Sequence, residues 1–133
     1  MRRINARSKG ASGERELARW LKDNLRLNDL PQRNLEQVRS GGSDIIDVYP
    51  FFFECKRVEN LDLLSWWIQV KHETKKSGAI PVVAFRQNHK TWEFLISAEY
   101  IGIELGFLRL DDRLFIKWAI NKMSNYQNLS MVE

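Results

Sequence analysis

Asp44, Glu54 and Lys56 are the residues whose types and spacing could do chemistry. Side chains alternate between the faces of a strand, so Glu54 and Lys56, at i and i+2, would project together while Phe53 and Cys55 point the other way into a core. If Asp44 ends a neighbouring strand, a turn at Tyr49-Pro50 folds it back towards Glu54, and two carboxylates converge beside a lysine. Two hard oxygen donors at one locus suit Mg²⁺, with Mn²⁺ as a substitute, water and a phosphate completing the octahedron. Such a centre suits phosphodiester hydrolysis, where a cation stabilises charge developing on phosphorus and makes water a better nucleophile. Lys56 would position or activate that water and balance the growing negative charge.

Around this trio, Glu14 on the first predicted helix is a further candidate, touching the cation directly or through water. Cys55 stands with Asp44, Glu54 and Glu14 in the candidate metal set, although its side chain reads as a small buried packer. Gln69 is a candidate to orient Lys56 or to touch DNA. Each has a plainer reading: Glu-x-Lys as a solvated pair, Asp44 as a turn residue, Glu14 as a helix-start acid. Their joint order is what points to catalysis. The three central residues are expected in an exposed cleft.

The elements that must position them follow from periodicity. From Gly13, Leu17, Ala18, Leu21 and Leu25 form one stripe of an amphipathic helix. Residues 28–37 are polar, contain Pro31 and read as a loop. After Ser40-Gly41-Gly42-Ser43, short strands are expected at 44–48 and 51–58. Leu63, Trp66, Trp67, Val70 and Thr74 define a second helix over 61–77, with Gly78 placed to cap it. Strands follow at 79–85 and 91–96, the first tolerating Pro81 near its start. Beyond Ser97 the pattern predicts a short helix at 98–105, then either a hairpin over 107–118 turning at Asp111-Asp112 or a helix in its second half. This order gives an α/β fold with a mixed central sheet.

The 133 residues, 44% of them hydrophobic, suit a single domain. No apolar run approaches the roughly 18 residues of a membrane span, and the N-terminus lacks a signal-peptide core, so a soluble cytoplasmic protein without membrane contact is expected. One cysteine excludes an intrachain disulfide, and two histidines make structural zinc a poor fit. The net charge of +4 favours a polyanionic partner. Arg2, Arg3, Arg7 and Lys9 precede the first acid and form a basic flexible arm over 1–12; with Arg15 and Arg39 they are the candidate nucleic-acid contacts. Residues 13–133 are the expected nuclease domain.

The blocks Lys9-Gly10-Ala11-Ser12-Gly13-Glu14-Arg15-Glu16-Leu17, Arg39-Ser40-Gly41-Gly42-Ser43-Asp44-Ile45-Ile46, Phe53-Glu54-Cys55-Lys56 and Gly78-Ala79-Ile80-Pro81-Val82-Val83-Ala84-Phe85 together resemble the archaeal-type Holliday junction resolvases of the PD-(D/E)XK nuclease superfamily. The resemblance covers about 9–96 and leaves 97–133 unassigned. It implies a restriction-endonuclease-like core, metal binding and cleavage by Glu14, Asp44, Glu54 and Lys56, help from a serine (Ser40, with Ser43 the rival), and a homodimer that cuts four-way DNA junctions by paired incision. Two positions depart from the pattern: Ser43 stands where proline is frequent, and Asp47 where a small apolar residue is usual. Asp47 is thus a rival to Asp44, which is preferred because residue 47 should face away from 44 and 46. The large side chains Trp66, Trp67, Phe107, Leu108, Phe115 and Trp118 suggest apolar surface buried between subunits. A nuclease with another branched or duplex DNA target, and a noncatalytic DNA-binding protein of the same fold, are the competing readings.

Overall fold

The computed structural model describes residues 6–35 and 43–132, with side chains over 10–35 and 43–126. Six strands pair in chain order: β1 (Gln32–Arg33), β2 (Ile45–Ile46), β3 (Phe51–Arg57), β4 (Ile80–Arg86), β5 (Glu93–Ser97) and β6 (Phe107–Leu110). Among the described residues three α-helices flank them: α1 (Ala6–Asn24), α2 (Leu63–Thr74) and α3 (Asp112–Val132). β3 and β4 are parallel, and every other pairing is antiparallel. The sheet is therefore mixed and the class α/β, as expected.

Alternation along the strands divides the core in two. Phe51 and Phe53 of β3, Val82 and Ala84 of β4, and Phe94 and Ile96 of β5 face Leu17, Ala18 and Leu21 of α1 and Phe115 and Ala119 of α3. Phe52, Val83, Phe85 and Leu95 face the other way, onto Trp66, Trp67 and Val70 of α2. The parallel β3–β4 pair needs a crossover, and α2 supplies it over that second face.

The differences from the sequence reading have local causes. α1 starts at Ala6 rather than Gly13, so residues 6–12, read as part of a flexible arm, are helical. Their lack of an apolar stripe hid a segment that the packed remainder of the helix extends. The polar loop 28–37 contains β1, which pairs through Gln32↔Ile46 and Arg33↔Ile45. The short helix after Ser97 is a 3₁₀ turn, Ala98–Ile101, closed by Gly102 at φ 83°. Of the two readings of 107–118, the helical second half holds and the hairpin does not: Asp111 Oδ1 accepts the N–H of Leu114 at 2.8 Å and caps α3. That helix docks through Phe115, stacked on Phe94 with 3.8 Å between ring centres.

The aromatic surplus assigned to a subunit interface is largely internal. Trp66, Trp67 and Phe115 are buried within this chain, and Phe107, Leu108 and Trp118 pack partly buried against the two cores. Among the described residues no helix is long and apolar enough to cross a membrane.

Candidate active site

Phe53 pairs with Ile45 across β2 and β3, so one step along the register Asp44 lies opposite Glu54. The approach is tied down by main chain: Asp44 N–H donates to Phe53 O at 2.7 Å, and Asp44 Oδ2 accepts the N–H of Cys55 at 2.6 Å. Ser43 stitches the same strand ends, its Oγ accepting from Phe53 N at 2.8 Å and donating to Ile45 O. That commitment makes Ser43 a structural clamp. Ser40 and Arg39 fall outside the described residues, as do Arg2 and Arg3.

Glu54 follows Phe52 by two positions and thus shares the α2 face of the sheet, with Lys56 two further on. Far from lying in an exposed cleft, Asp44 and Glu54 are only 3% and 4% exposed. Glu73 of α2 bears on Glu54 and Glu14 of α1 bears on Asp44, a convergence that the charged letters alone did not reveal. Burial raises Asp44 to about 6 despite the Cys55 N–H, and raises Glu54 to about 9, with Asp44 and then Glu73 adding repulsion. The two side chains share a hydrogen bond, which a protonated Glu54 donates to Asp44. A buried acid pair facing one lysine lacks positive charge, and a cation is what would supply it.

Glu14 lies within electrostatic reach of Asp44, but it is held by Arg33, whose Nε donates to Glu14 Oε1 at 3.0 Å. It reaches this position because α1 crosses β3 at Gly13, where a Cβ would meet Arg57 Cβ at 2.6 Å. Further along α1, Glu16 pairs with Arg57 and Arg86, tying the helix to the ends of β3 and β4.

The structure corrects the metal role of the Cys55 thiol. It packs with Phe53 against the α1 side, opposite Glu54, and burial and nearby carboxylates push it well above its usual value, away from the thiolate a ligand requires. Only the Cys55 main chain runs beside the acids. Asp47 is exposed, at φ 70°, and lines a separate surface cavity with residues 27–32. Gln69 is exposed on α2, and its Nε2 donates to Glu73 Oε1 at 3.0 Å; among the described residues no hydrogen bond joins it to Lys56. Arg15 is exposed, with Arg19, beside an apolar cavity of about 430 Å³ that Arg33 also lines. Arg7 and Lys9 lie on α1, their side chains outside the description.

Two charged neighbours escaped the sequence reading. Arg33 sat in a segment read as loop. Glu73 breaks the edge of the buried α2 stripe, three residues after Val70 and seven after Trp66, and that misplaced acid was the available signal.

No three His, Cys, Asp or Glu side chains among the described residues converge to hold a metal by themselves. The donor set nonetheless fits a hard cation. Asp44 and Glu54 supply two carboxyls, and Glu73 Oε2, closed to solvent, has no hydrogen-bond partner among the described residues. Water and a phosphate would complete such a coordination shell.

An α/β sheet presenting a buried Asp/Glu pair and a lysine from adjacent strands is the frame of a phosphodiester-cleaving nuclease. A family model described as "Phage putative PDDEXK endonuclease" matches residues 5–105, and the chain belongs to that nuclease family. Among solved structures the chain is similar to Hjc, a Holliday junction resolvase from the archaeal hyperthermophile Archaeoglobus fulgidus. The match has 20% identity and a TM-score of 0.46 over 75% of this chain and 85% of that one. No curated protein sequence matches.

Proposed function

We propose that the chain is a Mg²⁺-dependent endodeoxyribonuclease of branched DNA, with four-way junctions as its principal substrate and Mn²⁺ able to substitute. The observation that carries the reading is the buried Asp44–Glu54 pair set across β2 and β3 with Lys56 on the same face. A noncatalytic DNA-binding protein gains nothing from burying two acids where a polyanion must approach. Asp44 and Glu54 would hold the cation, which supplies charge stabilisation at phosphorus and a more nucleophilic water. Lys56 would orient the attacking water and offset charge on the phosphate.

The junction preference rests on the sequence blocks shared with archaeal-type resolvases, as does the homodimer, whose two sites would nick symmetry-related strands. With the large aromatics buried inside the chain, apolar surface for a second copy would come from exposed Leu64 and Ile68, one turn apart on α2. Light scattering at micromolar concentration gives the mass that tests it.

The deciding experiment incubates a synthetic four-way junction, a linear duplex and a flap with Mg²⁺ or EDTA. Paired incision of the junction, abolished by EDTA, is expected. Cleavage of duplex or flap with the junction left intact would favour the nuclease with another target, and binding without cleavage of any substrate would favour the noncatalytic reading.

A further inference from the structure

Glu73 is not one of the residues a PD-(D/E)XK motif names, yet it occupies the same space as the motif carboxyls. It projects from α2 towards the sheet face that carries Glu54, and it bears on Glu54 through its charge and at hydrogen-bonding range. One oxygen, Oε1, is fixed by Gln69 Nε2 at 3.0 Å. The other, Oε2, is sealed from solvent with no hydrogen-bond partner among the described residues. Its neighbour Glu54 lies within hydrogen-bonding reach, but Glu54 carries one proton and Asp44 takes it, so that proton cannot serve both acids. A carboxylate oxygen withdrawn from water without a donor is unfavourable, so its position calls for something between Glu73 and Glu54 that donates hydrogen bonds or carries positive charge. Gln69 cannot be that group, because it binds the opposite oxygen and faces outward.

We propose that Glu73 is a positioning residue of the metal centre, its free Oε2 accepting hydrogen bonds from water around a divalent cation held by Asp44 and Glu54. The proposal rests on the nuclease reading given above. Gln69 then has a defined task, holding Glu73 in the rotamer that aims Oε2 inward. Two protein carboxyls are few for a hard cation, and an outer acid that orders the surrounding water strengthens such a site without adding a direct ligand.

Mn²⁺ alone is the probe, titrated calorimetrically into the full chain without DNA, alongside thermal melts in EDTA and in saturating Mn²⁺. Wild type should bind, and Asp44→Asn should abolish binding. Glu73→Gln should weaken the affinity about tenfold while raising Tm in EDTA, because it removes repulsion from an acid cluster lacking its cation. Glu73→Asp, which keeps the charge, should recover part of the affinity. Glu104→Gln, at an exposed acid in the β5–β6 connection, controls for the loss of one negative charge and should change neither quantity. Unchanged Mn²⁺ affinity in Glu73→Gln, with wild type binding and Asp44→Asn silent, overturns the positioning role and leaves the nuclease reading intact. A lowered Tm in EDTA with unchanged affinity makes Glu73 a packing residue and likewise overturns it. No binding by wild type overturns both readings together.

Discussion

Asp44 and Glu54 face one another across the β2–β3 pairing as a hydrogen-bonded carboxyl pair closed to solvent, and the two are held differently. Asp44 receives the Cys55 N–H, which favours its charge, whereas Glu54 has an acid on each side, Asp44 and Glu73. Substitutions at the two positions should therefore separate. Asp44→Asn, Glu54→Gln and Lys56→Ala should each cut single-turnover cleavage at least about 100-fold, the scale of removing one preorganised charge-stabilising group. Asp47→Ala, at an exposed residue outside the pair, should stay active. A folded Glu54→Gln protein that cleaves at the wild-type rate would remove the carboxyl pair from the mechanism.

Stability should move in opposite directions in the two variants. Asp44→Ala leaves the Cys55 N–H without its acceptor, a loss of about 1–3 kcal/mol. Glu54→Gln is neutral folded and unfolded alike, so near neutral pH it escapes the cost of protonating Glu54 on folding and should raise Tm in EDTA. Chemical denaturation of both variants checks the contrast.

The same pair sets a pH dependence. Folding raises Glu54 from 4.5 to about 9 and Asp44 from 3.8 to about 6. A carboxyl raised on folding favours the native state while it is protonated. Its contribution is complete below the unfolded value and is lost as pH climbs through the folded one. In EDTA, Tm should therefore fall as pH rises from 4.5 towards 9, and Glu54→Gln should flatten that slope. A divalent cation competes with the same proton, so its binding near neutral pH should release about one proton per site. Calorimetry in buffers of different ionisation enthalpy counts that proton, and a Tm in EDTA that climbs over the interval would contradict the assignment.

How much of this was legible in the sequence depends on whether the information was local. Alternation around Phe51, Phe52 and Phe53 placed Glu54 and Lys56 on one face, and Leu17, Ala18 and Leu21 marked the buried side of α1. The depth of the pair was not local, since Asp44 adjoins β2 and Glu54 lies on β3, strands that meet only in the fold. Nor was the contact between Glu54 and Glu73, nineteen positions apart, or the Arg33 hold on Glu14. β1 and β2 have two residues each, too few to show a period, and only the paired register reveals them. α3 was obscured because an Asp-Asp pair serves a turn or a helix cap equally well, and Phe115 stacking on Phe94 decides between them.

Arg15 and Arg19 are exposed on α1 and line one cavity with Leu30 and Leu35. Among the described residues neither is tied to a carboxylate by an ion pair, in contrast to Arg33. If they meet phosphates, Arg15→Ala and Arg19→Ala should each weaken DNA binding evenly across sequences and lower the slope of log K against log salt by about 1. Arg33→Ala should instead release Glu14 and alter cleavage more than binding. Fluorescence anisotropy across a salt series separates the two effects; slopes unchanged in both α1 variants would move the DNA surface elsewhere.

Gly13 offers the most direct test of how the fold sets the site. It is buried in α1 where that helix crosses β3, and a methyl group there would lie 2.6 Å from Arg57 Cβ and 3.2 Å from Arg57 Cγ. The first of those atoms adjoins the main chain and cannot swing aside, so helix or strand must move. Two effects oppose in Gly13→Ala. Alanine gains about 1 kcal/mol over glycine within a helix, while overpacking a tight contact costs about 1–3 kcal/mol. With the contact this short the overpacking should win, leaving the variant less stable by up to about 2 kcal/mol. Displacement should also part Glu14, the next residue on α1, from Asp44, which its charge reaches, so cleavage should fall even where the protein remains folded. The Glu16 pairs to Arg57 and Arg86 resist that separation and favour bending of α1 over its release. Melting temperature and single-turnover rate, measured together, decide it: a Gly13→Ala protein that melts higher and cuts normally would mean that the close approach of α1 to β3 does not position the site.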